Sequence, residues 1–266
     1  MRQLGGKRLL LTGATGSLGK ALALRLCGEG ASLVLPVRSE QKGEVLRAEL
    51  TRRFPAAELS FPLLDLSDEQ SVQALADALV TAGTPLDGLI LNAGVFTAAG
   101  RRSPQGSEWH LQVNCLSPML LTRALLPLLR RGDDPFVATV TSLSAFWPLR
   151  EGDTPTRLYA ASKRALLREM AALAGQETGI AFVYAHPGVC ATGLFRGGSD
   201  KTAYPAAFLR FALPLMERLF PSPEKACLTT LTAMKEAENG QLAEPGGLVH
   251  IWGRPALVPL EKRFHQ

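Results

Sequence analysis

The chain has little of what marks secreted, metal-bound or nucleic-acid-bound proteins. Only four cysteines occur in 266 residues (Cys27, Cys115, Cys190 and Cys227). None lies near another or in metal-ligand spacing, which argues against a disulfide framework and a metal site and for free thiols in a reducing compartment. No apolar stretch reaches the roughly 18 residues that a bilayer-crossing helix needs. The opening MRQLGGKRLL enters a strand-like run almost at once, so a cytoplasmic protein without signal peptide or anchor is expected. Charge of one sign is never concentrated: 29 basic and 24 acidic residues are scattered, giving a net +5. The knots Arg52-Arg53, Arg101-Arg102 and Arg130-Arg131 read as solvated helix ends or loops. Aromatics make up 6% and do not interleave with a basic face, which speaks against nucleic acid as a partner.

What is present is a balance of 46% hydrophobic and 20% charged residues, enough for a sizeable core in a globular enzyme or binding domain. Short apolar runs alternate with amphipathic ones. Strands are expected over Lys7–Thr12, Ser32–Val37, Leu59–Leu64, Leu86–Leu91, Pro135–Thr141, Ile180–Ala185 and Leu248–Ile251. Helices are expected near 17–28, 40–53, 68–82, 105–130, 157–176 and 222–237, with Ser67 and Gln70 as a capping box for the third. Continuously apolar strands separated by helices imply an α/β fold: one domain over 1–266, a doubly wound parallel sheet of about seven strands with helices on both faces. Residues 193–221 (GLFRGGSDKTAYPAAFLRFALPLMERLFP) interrupt the alternation.

Residues 12–19 read TGATGSLG between the first strand and its helix. Glycine there permits a tight turn and lets backbone N–H groups approach a pyrophosphate at the helix N-terminus, although glycine turns of this kind are common. Further on stand Asn92-Ala93-Gly94 at the end of the fourth strand, EWHLQVNCLSPMLLTRALLPLL, VTSLS, YAASK and HPGVCATGLF. With these motifs, which span essentially the whole chain, the sequence resembles the short-chain dehydrogenase/reductase family, a compact branch of the Rossmann fold. Within it, RSEQKGE and the long fourth helix are most similar to the retinol-dehydrogenase-like members. One departure stands out. The compact pattern T-G-x-x-x-G-x-G requires glycine at position 17, where Ser17 stands after Gly16.

The resemblance implies the following roles. Gly13, Thr15, Gly16, Ser17, Leu18 and Gly19 would line the cofactor phosphates. Asp65 and Leu66 would receive the adenine; Asn92, Ala93 and Gly94 would flank the cofactor. Pro187, Gly188, Val189 and Thr192 would meet the nicotinamide. At the end of the second strand Val37 replaces the acid of NAD-preferring members, while Arg38, with Ser39 and Lys42 close by, suits a 2′-phosphate, so NADP(H) is expected ahead of NAD(H). Tyr159 and Lys163 share a helix face at i and i+4. A phenol, with an ordinary pKa of about 10, is a poor acid–base catalyst near neutrality, and a neighbouring ammonium favours its phenolate. By resemblance Tyr159 exchanges a proton with the substrate oxygen, and Ser142 orients that oxygen. Lys163 holds the nicotinamide ribose, and Asn114 holds a water that links Lys163 to solvent. Ser144 is a neighbouring hydroxyl that strand phasing disfavours, and His186 reads as a packed strand-end histidine.

The segment 193–221 carries Leu194, Phe195, Tyr204, Phe208, Phe211, Leu215 and Phe220 with interspersed basic residues. It reads as a helical substrate lid over a lipophilic pocket; packing against the sheet edge or a partner subunit, and a peripheral membrane contact, stay open. The resemblance implies a small carbonyl or alcohol substrate, lipophilic and retinoid- or steroid-like. It also implies a homodimer or homotetramer, in line with long helices 105–130 and 157–176 that carry more apolar residues than one sheet face needs, including Leu120, Leu121, Leu125, Leu166, Leu167 and Met170. A non-catalytic NADP(H)-binding regulator on the same fold is the alternative function, opposed by the intact Ser–Tyr–Lys set. A nucleotide-sugar epimerase or dehydratase rests on the glycine spacing alone.

Overall fold

The computed structural model describes residues 1–148, 152–188, 220–247, 250–251 and 253–264. The apolar runs form β1 (Arg8–Leu11), β2 (Ser32–Val34), β3 (Leu59–Ser60), β4 (Gly88–Leu91), β5 (Phe136–Val140), β6 (Ala181–Ala185), β7 (Gln241–Pro245) and β8 (Pro255–Pro259). They lie in one sheet of order β3-β2-β1-β4-β5-β6-β7-β8. Every pairing is parallel except β7 with β8, which is antiparallel. The helices are α1 (Ser17–Gly28), α2 (Glu40–Arg53), α3 (Glu69–Ala82), α4 (Trp109–Leu111), α5 (Ser117–Leu129), α6 (Pro155–Ala174), α7 (Pro223–Glu236) and α8 (Glu261–Phe264).

Strand alternation divides the core in two. Leu9 and Leu11 pack with α1, α2 and α7 on one face, whereas Leu10 packs with α3, α5 and α6 on the other. The strand order reverses between β1 and β4, so their carboxyl ends open the crevice where ligands bind in such sheets.

Four expectations are corrected. Asp68, not Ser67, caps α3: its carboxylate accepts the Gln70 N–H at 3.0 Å, while the Ser67 hydroxyl donates to Asp65 at 2.7 Å. A carboxylate gains more than a hydroxyl from the positive end of a helix. The long helix expected from 105 begins at Trp109 and widens into a π-helical turn over Gln112–Leu116. The last parallel strand lies at Gln241–Pro245 rather than Leu248–Ile251, and an eighth, antiparallel strand follows it. Of the expected segment, Leu248 and Val249 lie outside the described residues, and His250 takes a turn conformation with φ +54°. QLAEP disguised the strand because its buried Glu244 reads as a surface residue. Finally, Leu121, Leu125, Leu166, Leu167 and Met170 are fully buried within the single chain and only Leu120 is partly buried. The argument for an oligomer from surplus apolar residues therefore fails.

Candidate active site

The turn after β1 explains the glycine spacing. Gly13 has φ +71°, and a Cβ there would lie 2.8 Å from the Ala93 Cα. A Cβ on Gly19 would run into the Gly13 carbonyl and sit 2.8 Å from Asn92 Nδ2. These two positions, common to both glycine patterns, are the ones geometry requires. Gly16 has an ordinary φ of −80° and caps α1 without a side-chain hydrogen bond. Thr15, Gly16 and Ser17 are exposed at the lip of the crevice and Leu18 is half-buried. Ser17 is the first helical residue, a position that does not demand glycine.

Thr12, which the motif reading passed over, ties this turn to β4. Its Oγ1 donates to the Ile90 carbonyl (3.2 Å) and accepts from the N–H groups of Asn92 and Ala93, both at 3.1 Å. Asn92 Nδ2 donates to the Thr12 carbonyl at 2.9 Å, while its Oδ1 is buried without a hydrogen-bond partner. A strand-end hydroxyl immediately before the first glycine was the available signal.

The sheet and α6 bring the expected catalytic residues to the same edge. Lys163 is 3% exposed and donates to the Val140 carbonyl at 3.1 Å, two residues before Ser142. A Cβ on Gly94 would lie 3.1 Å from Lys163 Nζ and 3.4 Å from Asn114 Oδ1, so the three residues pack together. Burial pushes the Lys163 ammonium down to about 8, partly opposed by the nearby Cys115. Cys115 itself is pushed up to about 11, mainly by burial and then by Glu169, with Lys163 opposing, so it stays a thiol rather than a nucleophile. Tyr159 is half-buried and meets the Phe96 ring edge-on at 5.4 Å. Ser142 is half-buried, and its Oγ lies 3.0 Å from Ser144 Oγ.

Asn114 sits in the π-helical turn, fully buried. Its Oδ1 accepts from the Val95 N–H at 2.8 Å, and its Nδ2 donates to the Val95 carbonyl and Ser162 Oγ, both at 3.0 Å. Ser162 Oγ in turn donates to the Tyr159 carbonyl at 2.7 Å. The Asn114 side chain thus clamps the β4 loop to the helix that bears Tyr159 and Lys163. Ser162, unnoticed in the sequence, completes the clamp, and its place three residues after Tyr159 was the only hint.

Arg38 is exposed beyond the end of β2, after the buried Val37, and Ser39 caps α2. Asp65 Oδ1 accepts from the Ser67 N–H (2.9 Å) as well as its hydroxyl, and the Leu66 carbonyl accepts from Ser117 Oγ at 2.6 Å. The Asp65–Leu66 corner is thereby fixed. Pro187 and Gly188 follow β6 beside Ser142, since the Thr141 N–H donates to the Ala185 carbonyl at 2.8 Å. Val189, Thr192 and 193–219 of the expected lid lie outside the described residues. The described residues contain no cluster of metal-ligating side chains and no helix long and apolar enough to cross a membrane.

A family model described as short chain dehydrogenase matches residues 7–202. "Dehydrogenase/reductase SDR family member 13" of Bos taurus is 34% identical over 207 residues, covering 73% of this chain and 54% of that protein. "Retinol dehydrogenase 12" of Homo sapiens is 33% identical over 208 residues, covering 74% of this chain and 66% of that protein. The chain therefore spans about half to two thirds of the length of these relatives. Among solved structures, a short chain dehydrogenase/reductase from Burkholderia phymatum in complex with NAD superposes with a TM-score of 0.71 at 22% identity, over 88% of this chain and 87% of that one. A short chain dehydrogenase from Burkholderia cenocepacia J2315 in complex with NADP does so with a TM-score of 0.68 at 22% identity, over 88% and 92%. The fold, the order of its motifs along the sheet edge and the matched family model agree: this chain belongs to the short-chain dehydrogenase/reductase family, among its retinol-dehydrogenase-like members.

Proposed function

We propose that the protein is an NADP(H)-dependent oxidoreductase acting on a carbonyl or an alcohol of a lipophilic, retinoid- or steroid-like molecule. One observation carries the reading: a fully buried Lys163 ammonium one helical turn from Tyr159, packed against Gly94 beside the crevice.

The residues present suit the dinucleotide. The α1 N-terminus has no side-chain cap at Gly16, so its positive end is available to a phosphate. Asn92 Oδ1 is a buried acceptor without a partner. Val37 brings no acid, and the exposed Arg38 offers a cation for a 2′-phosphate. Bound there, the dinucleotide supplies or accepts the hydride. In the reducing direction the Tyr159 O–H bond breaks and its proton passes to the substrate oxygen as the carbon gains hydride; oxidation returns the proton to the phenolate. Ser142 Oγ donates to that oxygen and steadies its charge. Lys163, anchored on Val140, favours the phenolate by its positive charge.

The substrate class is supported by the similarity to retinol dehydrogenase 12. A homodimer or homotetramer is the assembly we infer from family membership. A cytoplasmic location accords with the buried free thiols Cys27, Cys115 and Cys227.

The test is NADPH oxidation against a panel of lipophilic aldehydes and ketones, with Tyr159→Phe alongside. The variant should lose on the order of 10²–10⁴ in kcat while binding NADPH nearly as tightly, because only the proton is removed. Retention of more than about a tenth of wild-type kcat would mean that the proton comes from elsewhere.

A further inference from the structure

A carboxylate–imidazole pair lies beside the crevice, outside the Ser–Tyr–Lys set. His110 in α4 is completely buried. Its Nδ1 is 2.8 Å from Glu108 Oε1, and its Nε2 faces the Thr97 N–H at 3.1 Å. A backbone N–H can only donate, so Nε2 must present a lone pair. The ring proton then sits on Nδ1, donated to the Glu108 carboxylate. The other Glu108 oxygen, Oε2, accepts the Leu111 N–H at 2.8 Å at the start of the helix. Thr97 is itself buried, so its N–H would lose its partner to no solvent. The residue before it, Phe96, is the ring that meets Tyr159 edge-on at 5.4 Å and His110 at 6.3 Å.

We propose that Glu108 and His110 form a positioning relay: the carboxylate fixes the Nδ1–H tautomer, the imidazole holds the Thr97 backbone, and the loop so held sets Phe96 against the Tyr159 ring. The relay does not touch the reacting atoms, and no proton need move through it. It complements the Asn114 clamp, which holds Val95 in the same loop. The two grips together leave Phe96 fixed from both sides. The catalytic consequence rests on the reading of Tyr159 as proton donor; the tautomer and the backbone grip do not.

Glu108→Gln would break the arrangement at one of its two contacts. Both partners of the carboxylate, His110 Nδ1–H and Leu111 N–H, require an acceptor, and an amide has only one oxygen. Its NH2 must face one of them, and turned toward His110 it stabilises the opposite tautomer, which places an N–H against the Thr97 N–H. Three measurements are made. Nitrogen-15 NMR of the imidazoles in the cofactor-free protein should show His110 with its proton on Nδ1. Hydrogen exchange at the Thr97 amide should accelerate by about tenfold or more in His110→Leu, which lacks the acceptor, and return toward wild type in His110→Gln, whose amide oxygen can replace Nε2. In turnover, His110→Leu should lower kcat by roughly tenfold, leaving the affinity for NADPH unchanged and His110→Gln near wild type. A wild-type His110 protonated on Nε2 would overturn the relay. So would equal Thr97 exchange in wild type and His110→Leu, or an unchanged kcat in a folded His110→Leu. If instead Tyr159→Phe keeps its activity, the reading of the site fails, and the tautomer and exchange results still decide the relay.

Discussion

At the scale of single residues, the proposed preference for NADP(H) rests on Val37 and Arg38. Val37 is buried and neutral, and Arg38 is the first exposed side chain beyond β2. A hydrogen bond to a charged group is worth about 1.5–3 kcal/mol, and tenfold in affinity needs only about 1.4 kcal/mol. NADPH should therefore bind at least about tenfold more tightly than NADH. Arg38→Asp should narrow or invert that ratio by removing the cation and adding an acid that can accept from ribose hydroxyls. Calorimetric titration of both dinucleotides against both proteins checks this, and equal affinities in the wild type would contradict it. The same scale shows what a residue reading misses. The shared helix face of Tyr159 and Lys163 was legible from their i,i+4 spacing, whereas the roles proposed for them come from the resemblance. The partners of Asn114 were not legible, because Val95 and Ser162 meet it only after β4, the π-helical turn and α6 have been packed together.

Elements were legible where burial and periodicity agree. The first six strands and the helices that cover them follow from continuous apolar runs and 3.6-residue patterns. The carboxyl-terminal end was misplaced because β7 carries a buried acid. Glu244 is 2% exposed, and its Oε2 accepts from Arg263 Nε on α8 at 2.9 Å; Arg263 Nη2 meets its Oε1. Burial works to raise the Glu244 carboxyl, but the nearby His186 imidazole and the hydrogen-bonded Arg263 guanidinium outweigh it and hold the group below the usual carboxylate range. A strand stabilised by such a pair cannot be read from hydrophobicity, since its partner arises nineteen residues later in the chain. Phe264 extends the same attachment by packing edge-on to Phe146, in the turn that follows Ser142. Removing one member of a buried pair leaves an uncompensated charge, which typically costs about 3–5 kcal/mol. Arg263→Ala should therefore destabilise the protein by an amount near the lower end of that range, its side chain being slightly exposed. The double variant Glu244→Leu/Arg263→Leu should recover most of the loss. Urea unfolding of the single and double variants measures both, and a double variant as unstable as Arg263→Ala would show that packing, not the stranded carboxylate, sets the cost.

For the whole molecule, the site imposes a pH dependence on folding itself. Lys163 has an ordinary value of 10.5 and, buried in the folded chain, is pushed down to about 8. Between these values the unfolded chain keeps the proton that the folded chain has released. Stability depends on pH as the protons bound in the unfolded state minus those bound in the folded state, so this lysine makes stability rise with pH across the window. Below about 8 both states hold the proton, and the folded protein carries the full penalty of a buried ammonium, about 3 kcal/mol from the separation of the two values. This is the sign opposite to that of a salt-bridged lysine. It follows from a cation buried one helical turn from Tyr159 and held by the Val140 backbone carbonyl. Lys163→Met retains the aliphatic stem and removes the charge. It should stabilise the cofactor-free protein most near neutrality, and its advantage over wild type should shrink as pH rises from about 8 toward 10.5. Denaturant unfolding of both proteins across that interval follows the difference directly, so that other titrating groups cancel. A difference that stays constant with pH would mean that Lys163 releases its proton at the same pH folded and unfolded. A difference that grows would mean that the ammonium is stabilised by the fold. In the expected case the same substitution that stabilises the chain abolishes turnover, which places the cost of burying this charge at the site where Tyr159 uses it.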